Sequence, residues 1–313
     1  MICQVRLRNS VKRERAVSDK CPYMYYSDVV VGETTCDGKK KMYELLGEIK
    51  NVFVLQMPQN SDTDAALDQW TAEMVRFKEY LEDLWDTEIT EDAIRESVRR
   101  RNKIREIKRN LLRMQTLTPP PEFGKTIFQT NSGSEFFFEH SQIQEKLDSF
   151  RENVMKEYEE GARPVSETAK RILITGCPIG GALEKTVGCI EENGGVVVCF
   201  ENCNGEKQAN YDIDPEADDI YRAIAEHYLK IGCAVMSPDE ERIEHLKKAI
   251  EDYKVDGVVE VDLQYCTPYL TETHWIKKAM AEIDMPYIAV EADYGKEDSG
   301  QLATRLEAFI EML

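Results

Sequence analysis

Six short runs of β-branched and aliphatic residues alternate with helical patterns along this 313-residue chain, and that alternation limits the folds open to it. The runs are Val29–Val31, Val52–Leu55, Ile172–Thr175, Val196–Val198, Val258–Val261 and Tyr287–Val290. Each is continuously apolar or nearly so. A strand of that kind is buried on both faces, as in a parallel sheet covered by helices. The gaps supply the helices. Leu67, Trp70, Met74, Phe77, Leu81 and Leu84 recur at spacings of three and four and predict an amphipathic helix. Thr90 has the chemistry of an N-cap for the next helix, which carries Ile94, Val98, Ile104, Ile107 and Leu111. Thr118-Pro119-Pro120-Pro121 ends that helix. Ile143, Leu147, Phe150 and Val154 mark another.

The expected fold is α/β, with two Rossmann-like parallel-sheet domains and a helical insertion in the N-terminal one. Gly161 to Pro164 reads as a hinge, which places the N-terminal domain at 1–165 and the C-terminal α/β domain at 166–313. No repeat and no low-complexity segment is evident.

Charge narrows the partners. Forty Lys and Arg against fifty-nine Asp and Glu give a net charge of −19, which disfavours nucleic acid and anionic membrane surfaces. No apolar run approaches the ~20 residues of a membrane span, and the first residues lack a signal-peptide core. A cytoplasmic location is expected. Residues 95–113 run against the trend, with nine Arg or Lys beside only Glu96 and Glu106. They read as a solvated helix face or as a docking patch for an anionic ligand or an acidic partner.

Nine cysteines are many for a chain whose thiols stay reduced, and such a surplus points to metal or redox chemistry. Their placement says more than their number. Cys36, Cys177, Cys203 and Cys266 each fall just past the carboxyl end of an expected strand. In parallel α/β sheets that edge is where ligands bind. Cys21 precedes a proline and Cys233 follows a glycine, both in turn-like settings. Cys189 on a helix and Cys199 inside a strand read as core thiols, and Cys3 has no assignment. Cys-x-x-Cys pairs are absent, so zinc-ribbon and ferredoxin spacings do not apply. Six thiolates around one cleft favour iron–sulfur over zinc, with redox or structural thiols as the remaining reading.

Other residues near this edge have two readings each. Gly176-Cys177-Pro178-Ile179-Gly180-Gly181 resembles an anion-cradling turn without being a Walker A loop. Lys39, Lys40 and Lys41 offset thiolate charge or form a solvated turn. Glu33, Glu201 and Glu260 serve as proton donors, or cap helices and pair with lysines. His140, His227, His245 and His274 form no pairing motif and are expected at the surface or as caps.

Several segments together resemble the 2-hydroxyacyl-CoA dehydratase family, and more narrowly its double-cubane cluster proteins. They include Val29-Val30-Val31-Gly32-Glu33-Thr34-Thr35-Cys36-Asp37-Gly38, Gly176–Gly181, Glu201-Asn202-Cys203, Gln264-Tyr265-Cys266-Thr267-Pro268 and Gly300–Phe309. The resemblance implies that Cys36, Cys203 and Cys266 hold a 4Fe–4S cluster. It implies that Cys21, Cys177 and Cys233 are the additional ligands of a double-cubane cluster, with a single 4Fe–4S as the alternative. It also implies a homodimer, in an anaerobic or facultative host, that takes electrons from a separate ATP-hydrolysing 4Fe–4S activator and reduces a small-molecule substrate. The chain would then be an oxidoreductase. The alternative activity is that of a lyase, as part of a 2-hydroxyacyl-CoA dehydratase. Relatives begin with a longer segment ahead of the Cys21 region, so an altered or shortened start is expected here.

Overall fold

The structure is a computed structural model and describes residues 22–313. Cys3 and Cys21 therefore lie outside the described residues. The chain is α/β, as the alternation predicts. After the short helix α1 (Pro22–Tyr26), β1 (Val30–Glu33), α2 (Asp37–Gly47) and β2 (Val52–Leu55) form a unit with a two-stranded parallel sheet. Four helices follow: α3 (Asp64–Trp85), α4 (Glu91–Leu112), α5 (Gly124–Ser134) and α6 (His140–Glu159). The remaining elements are β3 (Lys170–Gly176), α7 (Cys189–Glu192), β4 (Gly195–Phe200), α8 (Ile220–Leu229), α9 (Glu240–Asp252), β5 (Gly257–Leu263), α10 (Thr267–Glu282), β6 (Tyr287–Ala292) and α11 (Ser299–Met312). Their four strands are all parallel, in the order β4-β3-β5-β6.

Alternation along the strands divides the core of this second sheet into two layers. Ile172, Ile174, Val259 and Val261 pack on one face with Leu302, Leu306 and Phe309 of α11. Leu173 and Val258 pack on the other, with Leu246 of α9 and Ile276 and Met280 of α10. Several of these side chains are fully buried, and each such aliphatic contributes about 2 kcal/mol through area removed from water. The helix starts are chemically specified. Thr63 accepts from Ala66 N at 3.2 Å, Thr90 from Ala93 N at 3.3 Å and Asp219 from Arg222 N at 3.0 Å.

The helices do not each stay with one sheet. Trp70 of α3 shares a core with Val29, Phe53 and Leu55 around the first sheet, and with Ala225, Leu229 and Met236 from the second half of the chain. Residues 220–236 thus return to close the first sheet. In the opposite direction, Gly124 at the start of α5 sits against the Val197 carbonyl of β4, too close for any side chain. Glu191 of α7 accepts from Gly124 N at 2.7 Å and so caps that helix start.

The basic stretch belongs to α4, and much of its charge is absorbed internally. Arg109 grips Asp212 with two donors, each at 2.9 Å. Arg99 reaches Glu216 at 2.5 Å, and Arg95 donates to the carbonyls of Pro215 and Ala217. Lys108 is buried against Glu135 and Gln208. These cations pin the 208–217 segment. One histidine departs from expectation. His227 is 8% exposed, because α8 turns it toward Arg105 of α4, and burial lowers its pKa to about 4.

Among the described residues, no helix is long and apolar enough to cross a membrane.

Candidate functional site

Parallel strands of one sheet end together, so Cys177, Cys203 and Cys266 share the carboxyl edge of the second sheet, while Cys36 stands at the carboxyl end of a strand of the first. Cys36 follows β1 and is the N-cap of α2, in extended conformation. Cys177 follows β3, Cys203 follows β4, and Cys266 follows β5 as the N-cap of α10. Cys233 lies in the loop between α8 and α9. Cys203 is exposed, Cys36, Cys233 and Cys266 are half-buried, and Cys177 is buried. Cys189 and Cys199 lie in the two core layers, as expected of core thiols, and burial holds the Cys199 thiol well above its ordinary pKa.

The edge thiols interact. Cys177 and Cys266 act on each other: Cys177 draws the Cys266 pKa down to about 7 against the opposing effect of burial, and the Cys177 thiol is itself pushed up. Lys39, in the first turn of α2, acts on Cys266 in the same direction and links the first sheet's edge to the second's. Its neighbours Lys40 and Lys41 instead pair along the helix with Asp37 and Glu44, at 2.7 and 2.9 Å. Cys203 and Cys233 lie within electrostatic reach of each other, and both act on the ring hydroxyl of Tyr269 in the first turn of α10. Burial dominates the raised pKa of Cys233, with Lys207 pulling the other way.

The turn after β3 is shaped by a glycine. Gly176 has φ +100°, and a Cβ there would collide with the Val261 carbonyl. That carbonyl accepts from Cys177 N at 2.9 Å. The amide is thus committed to β5 and does not itself face an anion.

Beneath the thiols lies an ionic network with no announcement in the sequence. Its centre is Arg242 of α9, fully buried. One guanidinium nitrogen donates to Thr175 Oγ1 at 2.9 Å, and another donates to Glu272. Glu201 Oε1 and Glu260 Oε1 each stand 3.6 Å from the group. The Tyr269 ring centroid lies 4.9 Å away. The Thr175 hydroxyl donates to Glu201 Oε2 at 2.6 Å, and Lys207 meets Glu201 Oε1 at 2.8 Å. Burial alone would push Glu201 up, but Lys207 and Arg242 hold it below the usual carboxylate range. Burial, with Asp262 adding to it, pushes Glu260 to about 7, while the Tyr287 hydroxyl donates to it. Of the two readings for these glutamates, pairing with cations is the one the geometry displays for Glu201 and Glu260.

Arg242, Lys207, Thr175, Glu272 and Tyr269 escape a reading of the sequence because each has an ordinary local context. One signal exists for Arg242: it occupies the apolar stripe of α9, four and eight residues before the buried Leu246 and Ile250.

A cavity of about 500 Å³ opens beside the carboxyl ends of β5 and β6. Asp262, Gln264, Thr273, Glu291, Asp293 and Arg305 are among its lining residues. Asp262 is 1% exposed, and burial raises its pKa to about 6. Among the described residues, no three His, Cys, Asp or Glu side chains gather closely enough to hold a single metal ion.

A parallel α/β sheet whose carboxyl edge carries thiols over a buried ionic network defines a cysteine-edged α/β protein. Residues 6–313 match the family described as "2-hydroxyglutaryl-CoA dehydratase, D-component", and the chain belongs to that family. It is 46% identical over 297 residues to the "Putative dehydratase subunit YjiM" of Escherichia coli (strain K12), covering 95% of this chain and 77% of that protein. It is 23% identical over 302 residues to "(R)-2-hydroxyglutaryl-CoA dehydratase, subunit beta" of Acidaminococcus fermentans, covering 91% and 76%. It is 21% identical over 288 residues to one of the subunits of benzoyl-CoA reductase from Thauera aromatica, covering 89% and 72%. The resemblance to the dehydratase family read from the motifs is therefore correct.

Proposed function

We propose that this chain is the iron–sulfur, substrate-reducing component of an ATP-dependent low-potential reductase system. The observation that carries the reading is the collection of Cys36, Cys177, Cys203 and Cys266 at strand carboxyl ends, with Cys233 within reach of Cys203. Cys36, Cys203 and Cys266 are the three thiols for one 4Fe–4S unit, and Cys21, Cys177 and Cys233 are the additional ligands of a double-cubane cluster.

The residues fit such a group. In a cluster each ligand thiolate binds a different iron, so ligand sulfurs surround the group and do not converge on one atom. The Tyr269 hydroxyl is buried, lies within electrostatic reach of Cys203 and Cys233, and has no hydrogen-bond partner among the described residues. A buried donor of that kind suits an anionic sulfur acceptor. Lys39 and Lys207 add positive charge beside the thiols. When bound, the cluster supplies one-electron transfer at low potential. Electrons arrive from a separate ATP-hydrolysing 4Fe–4S activator. The protein works in the cytoplasm as a homodimer, and the boundary near residue 165 divides the strands of its two sheets, with residues 220–236 returning to the first.

The lining of the cavity beside Asp262 includes Glu291, Asp293 and Asp298 against Arg305, a balance that favours a small neutral substrate over a phosphate-bearing one. A second reading, part of a 2-hydroxyacyl-CoA dehydratase, draws support from the names that its relatives carry. Anaerobic reconstitution followed by iron and sulfide analysis separates the two. The reductase reading expects about eight irons per chain, in two bridged 4Fe–4S units. About four irons, unchanged in a Cys177→Ser variant and accompanied by acyl-CoA binding, would decide for the dehydratase.

A further inference from the structure

Helix α9 carries no cysteine, yet one of its residues reaches the flanks of four. Arg242 donates to Thr175, two residues before Cys177. It stands 3.6 Å from Glu201, two residues before Cys203. It holds Glu272 and lies over Tyr269, six and three residues after Cys266. The fourth contact is through its backbone. Gly232, with φ +66°, directly precedes Cys233, and a Cβ there would stand 3.2 Å from Arg242 N and Cα.

We propose that Arg242 is a positioning residue that fixes Cys177, Cys203, Cys233 and Cys266 relative to one another. The guanidinium is planar, with five donors at set angles, so one group can address several acceptors while holding their directions. An ammonium in its place would keep the charge and lose the angles. Burial makes the arrangement stiff, because moving any one partner leaves a buried charge unmatched. Each thiol-bearing loop is therefore referenced to a single point beneath the sheet edge. None of these contacts touches the Cys36 segment, which serves as an internal control. The proposal rests on the function above only for the identity of what the thiols hold; the frame itself belongs to the metal-free chain.

Three variants test it: Arg242→Lys, Thr175→Val and Gly232→Ala. In metal-free protein shown to be folded by circular dichroism, the iodoacetamide labelling rate of each cysteine is read by mass spectrometry. Labelling rate reports access and local environment, and a shift of roughly threefold or more at two or more of the four thiols, with Cys36 unchanged, is the expected result. After anaerobic reconstitution, the same variants should show an altered electron paramagnetic resonance spectrum. If Arg242→Lys does not fold, the two peripheral variants decide alone. Folded Thr175→Val and Gly232→Ala proteins with wild-type rates at three or more of the four thiols would overturn the proposal. So would shifts that include Cys36 to the same extent, since they would mean a general loosening. A wild-type chain that binds no iron while the variant rates still shift would sink the cluster reading and leave the frame standing.

Discussion

Cys177 and Cys266 follow the carboxyl ends of the paired strands β3 and β5, and Cys177 holds the Cys266 thiol below its ordinary pKa. Two thiols that act on each other from adjacent strand ends are candidates to be joined after a local shift. Treating metal-free protein with diamide should oxidise this pair to a disulfide while the diazene bond is reduced to a hydrazine. Peptide mapping reads the product. A first-formed bond involving Cys189 or Cys199 would contradict the arrangement.

The two groups of cysteines should separate cleanly under substitution. Cys189 and Cys199 lie in core layers, so Cys189→Ser and Cys199→Ser should keep the iron content of the reconstituted wild type. Cys203→Ser and Cys266→Ser should fall well below it. Serine in a core layer costs stability of about 1–2 kcal/mol through its buried hydroxyl, so a lower melting point with full iron is the expected pattern for the first pair.

His227 makes stability depend on pH in a defined direction. Burial dominates and sets its pKa near 4, while Arg105 and Lys230 also oppose protonation and Asp212 favours it. The unfolded chain takes up a proton near the ordinary histidine value of about 6.5. The neutral ring's contribution is therefore complete above that value and is lost as pH falls toward 4. Between pH 7.5 and 5 the loss amounts to about 2 kcal/mol. Urea unfolding of the wild type and His227→Gln should show their stability difference changing by that amount. A difference independent of pH would refute the assignment.

Gly124→Ala should be destabilising although alanine favours helices. Gly124 is the first residue of its helix, so the propensity gain stays below the ~1 kcal/mol of an interior position. Against it stands the Val197 carbonyl, which occupies the place of the added methyl. A net loss of about 2–3 kcal/mol is expected, measured by urea titration, because the two backbones must move apart.

Much of this molecule can be read from its sequence, and what cannot be read has a common cause. The strands, the Thr90 cap and the α4 core residues Val98, Ile104, Ile107 and Leu111 follow from local periodicity and capping chemistry. The cysteines of the edge are legible because each closely follows a strand. Arg242, Lys207 and His227 are not, since their burial is decided by segments far away in the chain. The same holds for the α4 arginines, whose partners Asp212 and Glu216 lie over a hundred residues downstream. Long-range pairing of this kind has no local signature.

The return of residues 220–236 to the first sheet has a consequence for any attempt to divide the chain. Cutting at the turn near residue 161 would strip Ala225, Leu229 and Met236 from beside Trp70 and Leu55. One fragment would present a bare apolar face and the other an amphipathic helix with nothing to cover it. Each piece alone would tend to aggregate, whereas the pair, produced together, should reassociate into a nicked but native assembly.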